Sequence, residues 1–204
     1  MTVRAESLGG RLPLLDPQGL SAAQKEVYDR LKNTLIRWSD RVHFRSKTED
    51  GRLVGPFNPI LYSPGISLPF LDLHDAEEKH TSICERVRQV VILAVGGVWQ
   101  CEYELYAHAA AAKMAGISEN AIHTLMTGGL PDELSAQEKI AQRFAWQLAV
   151  KHRVDAATYS AAKEAFGKQG LVDITYLIGI YHLVCGLLSA FEVPVPEFIP
   201  RSPS

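Results

Sequence analysis

Apolar residues recur along most of this chain at steps of three and four, the spacing that keeps one face of an α-helix dry. Ser21-Ala-Ala-Gln24 has the form of a capping box, and Val27, Leu31, Leu35 and Trp38 follow on one face, which predicts a helix from 21 to 38. The residues before it read as an extended arm lying on the surface. Residues 39–55 are charged and contain Asp50-Gly51, the mark of a turn or loop. Pro56, Pro59 and Pro64 then forbid long regular structure while Phe57, Ile60 and Leu61 require burial, so a short helical turn pinned to the core is expected. A helix from 66 or 68 to 79 leads on. From Val90 to Val95 every residue is apolar, so this helix has no wet face and should be fully buried; the Gly96-Gly97 pair is expected to end it.

A second helix follows, placing Cys101, Glu104, Leu105, His108 and Ala112 on one stripe. Its alanines, at 107 and 109 to 112, leave room for another helix to pack close. Ser118 caps a short helix over 119–126, and Ser135-Ala-Gln-Glu138 is a second capping box, opening a helix to 151. Asp155 can cap the next, which Gly167 and Gly170 are expected to interrupt, and a final helix over 172–191 stops before Val193-Pro194-Val195-Pro196. Nothing alternates as a strand for long. The fold class is therefore all-α with eight or nine helices, in one structural domain.

Composition narrows the function classes. Twenty-one basic against twenty-three acidic residues leave a formal charge of −2, without the basic run that nucleic acid demands. No nucleic-acid partner is expected. Cys84, Cys101 and Cys185 are odd in number and lack zinc-type spacing, which points to reduced thiols and a cytoplasmic location. The stretch 171–191 is apolar enough to suggest a membrane span, but Asp173, Tyr176, Tyr181 and His182 argue for a buried core helix and no membrane.

The stripe on the second central helix carries the candidate chemistry. Cys101 near a helix N-terminus, with His108 two turns along, can act as a nucleophile, where the plain alternative is a small buried hydrophobe. Glu104 and His108, four residues apart, can form an acid/base couple in which the carboxylate fixes the imidazole tautomer; the alternative is an ordinary surface pair. His182 and Cys185 share a face of the last helix and read as satisfied core residues able to reach the site. Tyr103, Tyr106 and Trp99 suit a pocket wall or a subunit contact. A metal set of Glu104, His108 and His182 lacks any supporting His-rich spacing, so neither metal nor cofactor is expected.

Cys101-Glu-Tyr-Glu104-Leu-Tyr-Ala-His108 resembles the core motif of the carboxymuconolactone decarboxylase and alkylhydroperoxidase D-like (AhpD-like) superfamily. The peroxidase branch reads Cys-x-x-Cys-x-x-x-His; here Cys101 and His108 match, and Glu104 stands at the second cysteine position. The branch's earlier glutamate, twelve residues before the first cysteine, falls on Gln89, with Glu85 one turn away. The decarboxylase branch reads Glu-Leu-x-x-His, which Glu104-Leu105-Tyr106-Ala107-His108 matches, although Lys113-Met114-Ala115-Gly116 replaces the Asn-Asn-Gly that follows in those enzymes. The segment 55–64 is similar to the GPFN-x-x-L-x-S-P stretch of larger members. The resemblance implies a domain over 56–200, preceded by an arm, helix and loop over 1–55 that cover the pocket, and a homo-oligomer, a trimer or hexamer.

It also implies two reactions on a small molecule. In a decarboxylase, loss of carbon dioxide from a carboxylated lactone leaves an enolate, and His108, poised by Glu104, would protonate it. In a thiol peroxidase, Cys101 would attack the peroxide and a second thiol would be required, from Cys84 or Cys185. Neither sits at motif spacing, so the acid/base lyase is the expectation and the peroxidase its alternative. Gln89, Glu85, Leu105, Tyr103 and His182 are the expected supporting or pocket residues. A third expectation is a non-catalytic ligand-binding or assembly module.

Overall fold

The computed structural model describes residues 8–196, so the first seven residues of the expected arm and the last four of the expected 56–200 domain lie outside it. The described residues form nine α-helices and no β-strand beyond an isolated Lys47–Leu53 bridge. They divide into two compact units: the residues up to Asp72 joined by those from Gly186 onward, and Leu73–Cys185.

In the first unit the capping box at Ser21 forms in both directions and opens α1 (Ala22–Asn33). The helix expected over 21–38 breaks at Thr34 (φ −119°, ψ −91°), and α2 (Leu35–Val42) starts afresh. Thr34 Oγ1 donates to the Arg30 carbonyl at 2.9 Å, the back-bonding by which a threonine bends a helix. The short helix expected around the prolines is α3 (Phe57–Leu61), buried throughout. The arm is anchored rather than laid on the surface: Leu8 and Leu14 are buried, Asn58 Oδ1 accepts from the Leu15 N–H at 3.1 Å, and Asn58 Nδ2 donates to the Pro13 carbonyl at 3.2 Å. α4 (Pro64–His80) begins in this unit and runs into the second.

The second unit is organised on α5 (Glu85–Trp99), which packs against α6 (Glu102–Met114), α7 (Glu119–Met126) and α8 (Ala136–Lys151). Every residue of α5 from Val87 to Gly97 is buried, as the apolar run from Val90 to Val95 requires, and the polar Arg88 and Gln89 are buried with it. The Gly96-Gly97 pair does not end this helix. A Cβ on Gly97 would lie 2.6 Å from the Leu125 carbonyl oxygen of α7, and one on Gly96 would lie 3.0 Å from Leu105 Cδ2 of α6. The glycines are there because two other helices occupy the space a side chain would need. α5 ends instead at Gln100, in the left-handed conformation (φ 50°, ψ 40°). Arg86 Nε meets Glu138 Oε1 at 2.7 Å, tying α5 to the capping-box turn of α8.

The last helix, α9 (Ala156–Ala190), is long and apolar enough by length and composition to cross a membrane. The expected break falls at Gly167 (φ 67°, ψ −177°), a conformation only glycine adopts readily, whereas Gly170 stays helical. α9 buries Ile174, Leu177, Ile178 and Tyr181 and leaves Val172, Tyr176 and Leu183 exposed.

The two kinds of helical glycine make opposite predictions. Gly97→Ala drives a methyl group against a backbone carbonyl and is expected to lower the unfolding free energy by about 1–3 kcal/mol. Gly179→Ala, exposed in α9 with nothing within 4 Å of the new Cβ, is expected to raise it by about 0.5–1 kcal/mol. Urea midpoints at unchanged slope measure both.

Candidate active site

The break at Gln100 turns the chain so that Cys101 becomes the N-cap residue of α6 (φ −84°, ψ 94°), with its thiol making no capping hydrogen bond. The next turns carry Glu104 and His108 inward, and both are buried, at 3% and 5% exposure. A polar chain runs in from the surface. Glu85, half exposed, accepts from Gln89 Nε2 at 2.7 Å, and Gln89 Oε1 lies 2.9 Å from His108 Nδ1. His108 Nε2 in turn lies 3.1 Å from Glu104 Oε1.

These contacts define where the protons sit. An amide oxygen only accepts, so the Gln89 contact places the imidazole proton on Nδ1 and leaves Nε2 a bare acceptor. A bare nitrogen 3.1 Å from a carboxylate would set two acceptors against each other. Burial resolves this by raising the Glu104 pKa well above its ordinary value, reinforced by charge on Cys101, so the carboxyl keeps its proton. Burial, then the charge of Arg88 and the neighbouring His74, lower the His108 pKa to about 3. The couple is therefore a neutral acid beside a neutral base, not the carboxylate fixing an imidazole tautomer that was expected from the sequence. Glu104 Oε1, buried, faces the bare His108 Nε2 at 3.1 Å and makes no other hydrogen bond.

Arg88 is fixed in turn by a buried ion pair with Glu77, both side chains under a tenth exposed, and lies 3.5 Å from Glu85. From α9, Tyr181 sets its ring edge-on to His108, with centroids 5.0 Å apart. One turn further, the Cys185 thiol hydrogen-bonds with Cys101; that contact and burial push the Cys185 pKa up, so it keeps its proton. The described cysteines form no disulfide.

Of the expected residues, Cys101, Glu104, His108, Gln89 and Glu85 come together. Leu105 instead packs into the apolar cluster of Val90, Leu93, Ile122 and Leu125. Tyr103, fully buried, lies edge-on to Tyr106 at 5.9 Å. His182 accepts a 2.7 Å hydrogen bond at Nδ1 from Trp99 Nε1, so the set of Glu104, His108 and His182 is not assembled. Among the described residues no group of three or more His, Cys, Asp or Glu is placed to hold a metal ion. Tyr181 and Arg88 were missed, and Cys185, read as a core residue, lies against Cys101. The available signal was the four-residue step from Tyr181 to Cys185, which shares a helix face more closely than His182 does.

Residues 69–147 match the model of the Carboxymuconolactone decarboxylase family. No curated protein matches the chain. Among solved structures it is similar to the alkylhydroperoxidase AhpD core of an uncharacterized peroxidase-related protein from Ralstonia eutropha JMP134, with a TM-score of 0.73 and 18% identity over 94% of this chain and 95% of that one. An uncharacterized peroxidase-related protein from Silicibacter sp. TM1040 gives a TM-score of 0.70 at 14% identity over 94% of each chain. The debrominase Bmp8, in complex with 2,3,4-tribromopyrrole, gives 0.67 at 13% identity over 91% of this chain and 93% of that one.

The neutral couple has a pH signature. Unfolded, Glu104 titrates near 4.5 and His108 near 6.5. Between those values each state holds one proton on the pair, on Glu104 when folded and on His108 when unfolded, so the pair adds no slope. Above pH 6.5 the folded state holds the extra proton and this stability is lost as pH rises. From 4.5 down to about 3 the unfolded state holds it, and stability is lost as pH falls. Glu104→Gln removes the alkaline loss. Its unfolding free energy relative to wild type is expected to climb above pH 4.5 by up to about 1.4 kcal/mol per pH unit. A flat difference from pH 4.5 to 8 in urea titrations would mean that the buried carboxyl is ionised.

Proposed function

We propose that the chain, whose residues 69–147 match the Carboxymuconolactone decarboxylase family and whose fold is similar to that of AhpD-like structures, is a thiol-dependent reductase of small organic hydroperoxides. The observation that carries this reading is the placement of Cys101 at the N-cap of α6, one turn from Glu104, a buried acid whose Oε1 lies 3.1 Å from His108 Nε2. Reduction of a hydroperoxide needs a nucleophilic sulfur and, beside it, a proton for the departing alkoxide. Cys101 Sγ, at the N-terminal end of α6 where the backbone dipoles favour negative charge, attacks the distal oxygen. The S–O bond forms as the O–O bond breaks, the alkoxide takes the proton of Glu104, and Cys101 is left as a sulfenic acid. His108 is a positioning base, its bare Nε2 facing the carboxyl and its ring fixed by Gln89 and Tyr181.

A second reading is decarboxylation of a carboxylated lactone, and the Glu104–His108 couple favours it. The proton donor to the enolate would then be Glu104, because His108 has no proton on Nε2 near neutral pH. Against it, a carboxylated substrate needs a cation, and Arg88 is committed to Glu77 and Glu85.

Two substitutions separate the readings. Consumption of cumene hydroperoxide with a dithiol reductant is expected to fall at least about a thousandfold in Cys101→Ser, and about a hundredfold or more in Glu104→Gln, which keeps the shape of the protonated acid. Turnover of a carboxylated lactone that survives Cys101→Ser but is lost in Glu104→Gln would establish the decarboxylase instead.

A further inference from the structure

We propose that Cys101 and Cys185 form a redox couple, in which Cys101 takes the oxidising equivalent and Cys185, supplied by the facing helix, resolves it as an intramolecular disulfide between the start of α6 and α9. The inference rests on the hydroperoxide reading for its oxidant, and on geometry for its pairing.

The register of α6 against α9 brings the sulfurs together. Tyr181 lies edge-on to His108, and one turn further along α9 Cys185 hydrogen-bonds with Cys101, two turns back along α6. The facing stretches therefore run in opposite directions, and the contact is a product of helix packing rather than of a local motif. Both cysteines are buried, at 5% and 0% exposure. Cys84, the other thiol, is exposed at the N-cap of α5. A sulfenic acid formed on Cys101 thus has a thiol already in contact, in a site closed to most other thiols.

The roles follow from position. Cys101 stands at a helix N-terminus, where thiolate is favoured. Cys185 lies inside α9 and is held as a thiol by its contact with Cys101 and by burial. In the resolving step Cys185 Sγ attacks Cys101 Sγ, the S–S bond forms, the S–O bond breaks, and the departing hydroxide leaves as water with the Cys185 proton. The proton first lost by Cys101 restores Glu104. Overall, two thiols and one hydroperoxide give a disulfide, an alcohol and water, and an external dithiol returns the pair to the reduced state.

The test is a thiol map of the full-length protein after one equivalent of cumene hydroperoxide, with acid quench, alkylation and peptide mass analysis under non-reducing conditions. The expected product is a Cys101–Cys185 linked peptide, with two thiols lost and Cys84 alkylated. Cys185→Ser and Cys185→Ala should stop at a Cys101 sulfenic acid that dimedone traps, with dithiol-dependent turnover down at least tenfold and first-turnover oxidation of Cys101 retained. Cys84→Ser should change neither. A Cys101–Cys84 link, a link between two chains, or oxidised Cys101 with Cys185 still alkylated would overturn the couple. A parallel arm uses diamide, which removes two electrons and two protons from neighbouring thiols without peroxide. A Cys101–Cys185 link formed by diamide but not by hydroperoxide sinks the hydroperoxide reading and upholds the couple; no such link with either oxidant sinks the couple.

Discussion

Everything at the site depends on how closely α6 lies against α5. With no side chain at Gly96, Leu105 reaches to 3.0 Å of where a Cβ would stand, and Glu104 Cγ to 3.5 Å. That approach excludes water from the inward face of α6, and the exclusion decides the chemistry. A carboxyl and an imidazole on an exposed helix would form a weak ion pair. In this dry layer charge is too costly, so the carboxyl keeps its proton and the imidazole goes without its second. The same two residue types thus change from an ion pair into a stored proton beside a base.

The surroundings hold that state from both sides. Arg88, buried beside Glu77, places a fixed positive charge near His108, which disfavours the imidazolium, while a charge on Cys101 disfavours ionisation of Glu104. Gln89 occupies the position where the peroxidase branch resembled by this chain has a glutamate. As an amide it orients the ring without contributing a charge.

Much of this was legible in the sequence. The all-α class follows from apolar spacing and capping boxes, and the boxes at Ser21 and Ser135 both form because their hydrogen bonds are local. Burial of α5 follows from its unbroken apolar run. Spacing put Cys101, Glu104 and His108 on one helix face, and the resemblance pointed to Gln89 and Glu85 on the helix before it. Local signals failed where another element decides. Thr34 looked like one more helical residue, and Gly96-Gly97 like a stop, although the glycines answer to α6 and α7.

The sequence by itself determined which residues could share a helix face, because that depends only on the 3.6-residue period and on hydrogen bonds a few residues apart. Tertiary structure alone decided what those faces meet: that Tyr181 and Cys185 rather than His182 turn to the site, that His182 turns to Trp99, and that the Glu104–His108 couple is uncharged. The physical reason is that side-chain contact between distant helices depends on their packing register, and protonation on desolvation by all of them together. Neither quantity is carried by any single stretch of chain.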